Sequence, residues 1–64
     1  LPTKANLRVK AVADFLDVSV AMIYDMILEG QLPHVRVGAT KRVPRREFIE
    51  WYNGQKFAAD TDPV

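Results

Sequence analysis

Two runs of apolar residues at helical spacing, separated by a short segment that contains Asp17 and Ser19, most strongly constrain how this chain can fold. The first run is spaced i, i+3, i+4 and i+7: Val9, Val12, Ala13 and Leu16. It predicts an amphipathic helix over residues 9–16. The second run, Ile23, Met26 and Ile27, predicts a helix over residues 20–29, with Ser19 as its N-cap and Gly30 as its terminator. The sequence therefore indicates two short helices joined by a tight turn.

After Pro33 the spacing of apolar residues changes from helical to alternating. Residues 34–37 alternate polar and apolar, which predicts a strand. Two valines are expected on one face and two polar residues on the other: Val35 and Val37 against His34 and Arg36. Residues 38–40 can reverse the chain, and residues 41–43 can return as a second strand. Because Pro44 lacks a backbone donor, we expect it to end that strand at a sheet edge, giving a small hairpin with a basic outer face.

A third helix is predicted after the hairpin from aromatic residues spaced i, i+3 and i+4: Phe48, Trp51 and Tyr52. It covers residues 47–52 and is expected to end at Asn53-Gly54. This register favours packing of Trp51 in the core over a role in stacking on single-stranded nucleic acid. Residues 1–6 are expected to be a flexible lead-in, residues 7–54 the folded domain, and residues 55–64 a flexible tail.

Composition excludes several classes of protein. The chain has 64 residues, no cysteine and one histidine. This length supports a single core, and the lack of cysteine excludes a disulfide framework, a cysteine-ligated zinc site and a thiol nucleophile. We expect no enzyme activity, no cofactor and no bound metal, since His34 has no second ligand suitably placed. No apolar run approaches the roughly 18 residues that span a bilayer, so no membrane partner is expected.

The cations are concentrated in one segment, although the formal net charge is only +1. Residues 36–46 carry five basic residues and no acidic one: Arg36, Lys41, Arg42, Arg45 and Arg46. The segments on either side, residues 1–35 and 47–64, are both net acidic. A basic block of this kind indicates either contact with nucleic-acid phosphates or a solvated basic surface.

Two helices followed by a hairpin predict a mainly α fold with a small β-hairpin, the winged helix-turn-helix of three short helices plus a wing. In this arrangement the second helix enters a major groove of DNA. The candidate DNA contacts on that helix are Ser19, Val20, Ala21, Met22 and Tyr24. The candidate contacts on the wing and its flank are Arg36, Thr40, Lys41, Arg42 and Arg45. Further phosphate contacts are expected from Lys10 and Arg46, although Arg46 can instead pair with Glu50.

Residues 7–51 resemble the excisionase-type, MerR-like winged helix-turn-helix family. The matching positions are Val12-Ala13, Leu16, Val18-Ser19, Ile23-Tyr24, Ile27, Gly30, Leu32-Pro33, Val35-Arg36-Val37-Gly38, Lys41-Arg42-Val43, and Glu47-Phe48 followed by Trp51. The resemblance implies a DNA-binding protein of phage or mobile-element type, acting in the cytoplasm of a bacterial host in association with the nucleoid. Such proteins bind neighbouring sites cooperatively through head-to-tail contacts between copies, bend DNA, and set the direction of integrase-mediated recombination. Other members are small transcriptional regulators.

The second helix departs from the family pattern, because its exposed positions carry no cation. Asp25 and Glu29 lie there instead, and both would repel phosphate. We therefore expect modest sequence specificity, with the wing providing most of the affinity and DNA shape part of the selection. A protein-interaction module, in which the apolar rim at Met22 and Leu28 binds a protein partner, remains the alternative from another class.

Overall fold

The computed structural model describes the backbone of residues 1–60 and the side chains of residues 1–55. Its elements follow in the order β1 (Asn6–Arg8), α1 (Val9–Leu16), α2 (Val20–Leu28), β2 (Val35–Val37), β3 (Thr40–Pro44) and α3 (Arg45–Asp60). Three helices and a small antiparallel sheet confirm the predicted winged helix-turn-helix fold.

The turn between α1 and α2 is built by a left-handed residue and an N-cap. Asp17, with φ 59°, ends α1, and the amide of Val18 donates to the carbonyl of Ala13 at 3.0 Å. This hydrogen bond spans six residues, and it satisfies a carbonyl near the C-terminus of α1 that has no partner within the helix. Ser19 then begins α2, because its hydroxyl accepts a hydrogen bond from the amide of Met22 at 3.1 Å. The predicted N-cap is therefore confirmed.

Helix α2 ends one residue earlier than predicted, with Glu29 as its C-cap. Gly30 follows with φ 73°, and the amide of Gln31 donates to the carbonyl of Met26 at 2.8 Å. A hydrogen bond of the same type, from the amide of residue i+5 to the carbonyl of residue i, ends α1. Here the left-handed position is occupied by a glycine, which adopts a positive φ without steric cost. Leu32, which is 2% exposed, then packs in the core and anchors the segment between α2 and the wing.

The sheet contains a strand that the sequence did not predict. Its order is β1-β3-β2, so β3 lies at the centre, and β1 pairs with it from Asn6 opposite Pro44 to Arg8 opposite Arg42. Two expectations are therefore wrong: Asn6 belongs to a strand, and Pro44 does not lie at a sheet edge. Pro44 is accommodated because it is the last residue of β3, where the ladder stops.

The wing reverses through two residues rather than three. Val37 pairs with Thr40, so Gly38 and Ala39 form the turn and Thr40 already belongs to β3. Gly38 has φ 60°, the backbone that a type II′ turn requires at its first central position. The hydroxyl of Thr40 donates to the carbonyl of Val37 at 2.8 Å and closes the turn.

Helix α3 is longer than predicted at both ends. It begins at Arg45, whose amide donates to the carbonyl of Ala5 at 2.8 Å, and it continues to Asp60. The expected stop at Asn53-Gly54 is wrong, because a glycine inside a helix costs only about 1 kcal/mol and does not end it. Of the predicted tail, residues 55–60 are helical and residues 61–64 lie outside the described residues. The flexibility of residues 1–5 stays a prediction.

One hydrophobic core joins the sheet to all three helices. Its buried members are Leu7, Val9, Val12, Ala13, Ile23, Ile27, Leu32, Val43 and Phe48. Trp51 is half-buried against this core and stacks on Phe48 with ring centroids 5.7 Å apart, which confirms its predicted packing role. Phe15 on α1 meets Phe48 and Tyr52 edge-on at 5.8 and 5.2 Å, and thereby fixes α3 against α1.

The described residues contain no buried polar side chain without a partner and no cluster of metal-ligating side chains. Among the same residues, no helix is both long and apolar enough to cross a membrane.

Candidate nucleic-acid interface

Helix α2 presents one side to the core and leaves the other open. Ile23 and Ile27 are buried at 0% and 3% exposure, which fixes the rotation of the helix about its axis. All five candidate contacts on this helix are exposed to solvent: Ser19, Val20, Ala21, Met22 and Tyr24. The N-terminal half of α2 is therefore accessible to a ligand.

The open side of α2 is mostly apolar. Met22 is 49% exposed, and Leu28, near the other end of the helix, is 73% exposed. The Tyr24 hydroxyl has no hydrogen-bond partner in the described part of the chain and is free to donate outward. The charged residues on this side, Asp25 and Glu29, are both acidic and exposed. The charged side chains of α2 therefore offer no electrostatic attraction for a phosphate.

The cations of the wing are divided between the two faces of the sheet. Successive strand residues point to opposite faces, and Leu7 and Val43 point into the core at 1% and 0% exposure. Arg36 pairs with Lys41, and this pair shares the face of Val43, on which the helices pack. Arg42 lies on the opposite face.

The uncovered face of the sheet also carries the two valines of β2. Val35 pairs with Arg42 and is 38% exposed, while Val37 pairs with Thr40 and is 55% exposed. The expected alternation of β2 is present, but the expected single basic outer face is wrong. The reason is that β3 contributes one cation to each side of the sheet.

Two of the candidate arginines already make hydrogen bonds within the protein. Nη1 of Arg42 donates to the carbonyl of Lys41 at 3.0 Å, and Nε of Arg45 donates to the carbonyl of Pro2 at 2.9 Å. Arg45 thus holds the N-terminal segment beside the start of α3. Because a guanidinium has five N–H donors, both residues keep donors for a phosphate.

Lys10 and Arg46, the further phosphate candidates, lie at the surface. Nζ of Lys10 lies 3.6 Å from Oδ2 of Asp14, with the two side chains 77% and 69% exposed. An ion pair this exposed is worth little and yields readily to a phosphate. Arg46 does not form the alternative ion pair with Glu50 in the described structure.

Arg8 is a surface cation that is not among the contacts predicted from the sequence. It is exposed, it lies directly opposite Arg42 on β1, and no partner holds its side chain in the described residues. The sequence carries a faint signal in the polar-apolar-polar order of Asn6, Leu7 and Arg8. Three residues are too few to establish a strand from alternation alone.

An exposed helix joined by a tight turn to an amphipathic helix and followed by a basic hairpin defines a winged helix-turn-helix domain. The chain belongs to the helix-turn-helix domain family, whose model matches residues 7–56. This is a DNA-binding family that includes excisionase-like proteins. No curated protein and no solved structure gives a significant match to the chain.

Proposed function

We propose that this protein is an excisionase-type architectural factor that binds duplex DNA through α2 and the wing. One observation supports the proposal. The N-terminal half of α2 is exposed, and the core against which α2 packs also holds the wing in place through Leu32 and Val43. In this docking, α2 lies in a major groove with Val20, Ala21 and Met22 toward the base edges. Ser19 and Tyr24 flank them with hydroxyl groups suited to phosphate.

The wing supplies the electrostatic attraction to the adjacent DNA backbone. Arg36 and Lys41 lie side by side on the sheet face that carries the helices, with Thr40 at the turn. Arg42 offers donors on the opposite face of the sheet, and Arg45, Lys10 and Arg46 are further candidates for phosphate contact. Such contacts supply most of the affinity and make it strongly dependent on salt.

The apolar surface of α2 supports modest sequence preference rather than stringent readout. Val20, Ala21 and Met22 can contact thymine methyl groups, but no arginine on α2 can make a bidentate contact to guanine. Selection then depends partly on how easily the DNA deforms. This combination suits a protein that bends DNA.

The excisionase role adds two protein partners to this proposal, an integrase and neighbouring copies of the same chain. Copies bound head to tail on adjacent sites need a protein contact that does not close into a ring. The exposed side chain of Leu28 offers apolar surface for that contact. The protein would then act on the DNA of a phage or other mobile element in a bacterial cytoplasm.

Recombination assays with purified integrase test this role directly. The protein should stimulate excision and suppress integration on the DNA ends of the element, and permuted-site mobility shifts should reveal a bend. The variant Leu28→Ser should bind a single site normally but lose cooperative occupancy of adjacent sites. Binding without any effect on either direction of recombination would reject the excisionase role and leave DNA binding intact.

A transcriptional regulator of the same fold is the second candidate, because α2 would dock in the same way at a promoter. A promoter assay without integrase separates the two roles. The protein-interaction module is supported by Leu28, the most exposed large apolar side chain among the described residues. Capture of a protein partner at high salt, where phosphate-driven binding is lost, would favour it.

A further inference from the structure

We propose that Arg8 and Arg42 form a second phosphate-binding surface on the uncovered face of the sheet. Its occupant is the DNA strand on the far side of the wing from α2, within the same duplex. This inference rests on the proposed DNA binding and extends it to a strand that α2 and the Arg36–Lys41 pair do not reach.

The two arginines are held next to each other by strand pairing. Arg8 on β1 lies directly opposite Arg42 on β3, and side chains opposite each other on antiparallel strands have Cβ atoms about 5 Å apart. No acidic residue shares this face, which is formed by Asn6, Arg8, Val35, Val37, Thr40, Arg42 and Pro44. The pair therefore has no counter-ion from the sheet itself.

Two like charges directly opposite each other destabilise a sheet. Here the repulsion is not relieved within the described structure, because Arg8 has no partner and Arg42 donates only to the carbonyl of Lys41. An anion between the two guanidinium groups would convert the repulsion into two charge-assisted interactions. Phosphate oxygens match guanidinium geometry especially well.

The basic surface continues from Arg8 along the N-terminal segment. An open groove between this segment and α1 is lined by three cations, Lys4, Arg8 and Lys10, and by a single acid, Asp14. Three cations against one acid leave this groove with a net charge of +2. The charge pattern fits an extended polyanion rather than a single small ion.

The division of cations between the faces of the wing favours one duplex as the occupant. Arg36 and Lys41 point toward the helices, whereas Arg8 and Arg42 point away from them. The minor groove is about 6 Å wide and has a sugar-phosphate strand on each side. A hairpin that approaches this groove with its Gly38-Ala39 turn foremost presents one basic face to each strand. Arg42 lies two residues beyond Thr40, about 7 Å from the turn, within reach of the groove edge.

The test compares Arg8→Gln with two variants that remove the same charge, Lys41→Gln on the other face and Lys56→Gln in the second half of α3. Binding to a fluorescently labelled duplex of mixed sequence is measured over a range of salt concentrations. Arg8→Gln should weaken binding on the order of tenfold, the scale of one charge-assisted hydrogen bond. It should also reduce the slope of log K against log salt by about 0.9, whereas Lys56→Gln should change neither quantity.

Thermal unfolding of the same variants without DNA provides a second readout. Because Arg8→Gln removes the repulsion with Arg42, its Tm should equal or exceed that of the wild type. Weaker DNA binding together with undiminished stability is a signature that a purely structural role for Arg8 would not produce.

Three results would overturn the proposal, and they are distinguishable. If Arg8→Gln behaves like Lys56→Gln while Lys41→Gln loses affinity, the second surface is wrong and the proposed DNA binding stands. If the wild type on an immobilised duplex retains a second, labelled duplex and Arg8→Gln does not, the surface binds another DNA molecule instead. If the wild type binds no duplex at all, the proposed function fails as well.

Discussion

At the scale of single residues, the helix-turn-helix depends on two left-handed positions that the chain fills differently. Gly30 adopts φ 73° without steric cost, whereas Asp17 adopts φ 59° with a side chain attached. Aspartate tolerates this region better than most residues, because its short polar side chain can bond locally. Both positions allow the six-residue hydrogen bonds that end α1 and α2.

Replacing Gly30 with alanine should lower the free energy of unfolding by about 1 kcal/mol. Apart from the adjacent residues of the chain, no heavy atom lies within 4 Å of the position that a Cβ would occupy there, so the cost is that of the left-handed backbone. Urea unfolding measures this change in the free energy of unfolding. The same change at Gly54, inside α3 and equally open, should stabilise the protein by up to about 1 kcal/mol. Equal effects of the two substitutions would contradict this account.

Ser19 combines two roles that substitution can separate. Ser19→Ala removes the acceptor for the Met22 amide and should cost about 1 kcal/mol of stability. Ser19→Asp keeps an N-cap acceptor, so its stability should remain near that of the wild type, while its negative charge should weaken binding to duplex DNA. Unfolding curves and mobility shifts on both variants check this. Normal DNA binding by Ser19→Asp would remove Ser19 from the interface.

At the scale of elements, the wing is governed by the register of β3 as the central strand. Each neighbouring strand places one arginine opposite a cation of β3: Arg8 on β1 lies opposite Arg42, and Arg36 on β2 lies opposite Lys41. Alternation along β3 then assigns Lys41 and Arg42 to opposite faces. The hairpin is therefore a two-sided basic element rather than one with a single charged surface.

Removing both cations from the helix-side face, with Arg36→Gln and Lys41→Gln together, should weaken binding to all DNA sequences. The slope of log K against log salt should fall by about 1.8 if each contacts one phosphate. Fluorescence anisotropy over a salt series measures this on a preferred and an arbitrary duplex. An unchanged slope would show that the wing does not contact the DNA backbone.

At the scale of the whole molecule, one aromatic residue connects the elements. Phe48 is fully buried, packs edge-on against Phe15 of α1 and stacks with Trp51 and Tyr52 of its own helix. A domain of this size has a single small core and a correspondingly small margin of stability. The position of α3 against the rest of the fold therefore depends on this side chain.

Phe48→Ala should destabilise the fold by about 3–5 kcal/mol, which is comparable to the whole stability of a domain this small. We expect a largely unfolded chain with poor dispersion of amide resonances in its NMR spectrum. Phe15→Ala, at a ring that is 43% exposed, should remain folded with a smaller loss. A cooperative unfolding transition in Phe48→Ala close to that of the wild type would refute this central role.

Local signals along the chain are sufficient to predict α1, α2 and the reversal at Gly38. Helical spacing, the Ser19 cap and the left-handed glycines all act within a few residues along the chain. The same local signals identified the exposed candidates on α2. The local signal at Gly54 was misleading. The chain stays helical there because one glycine inside a helix costs only a modest free energy.

The rest of the sheet and the distribution of its charge depend on contacts between segments that are distant in the sequence. Strand β1 is three residues long and exists because β3 offers it a partner and the core accepts Leu7. The pairing of Arg8 with Arg42 joins positions that are far apart in sequence, and no periodicity within either segment encodes it. Which cations lie together is a property of cross-strand register, and register is set by the burial of Leu7 and Val43 on one face.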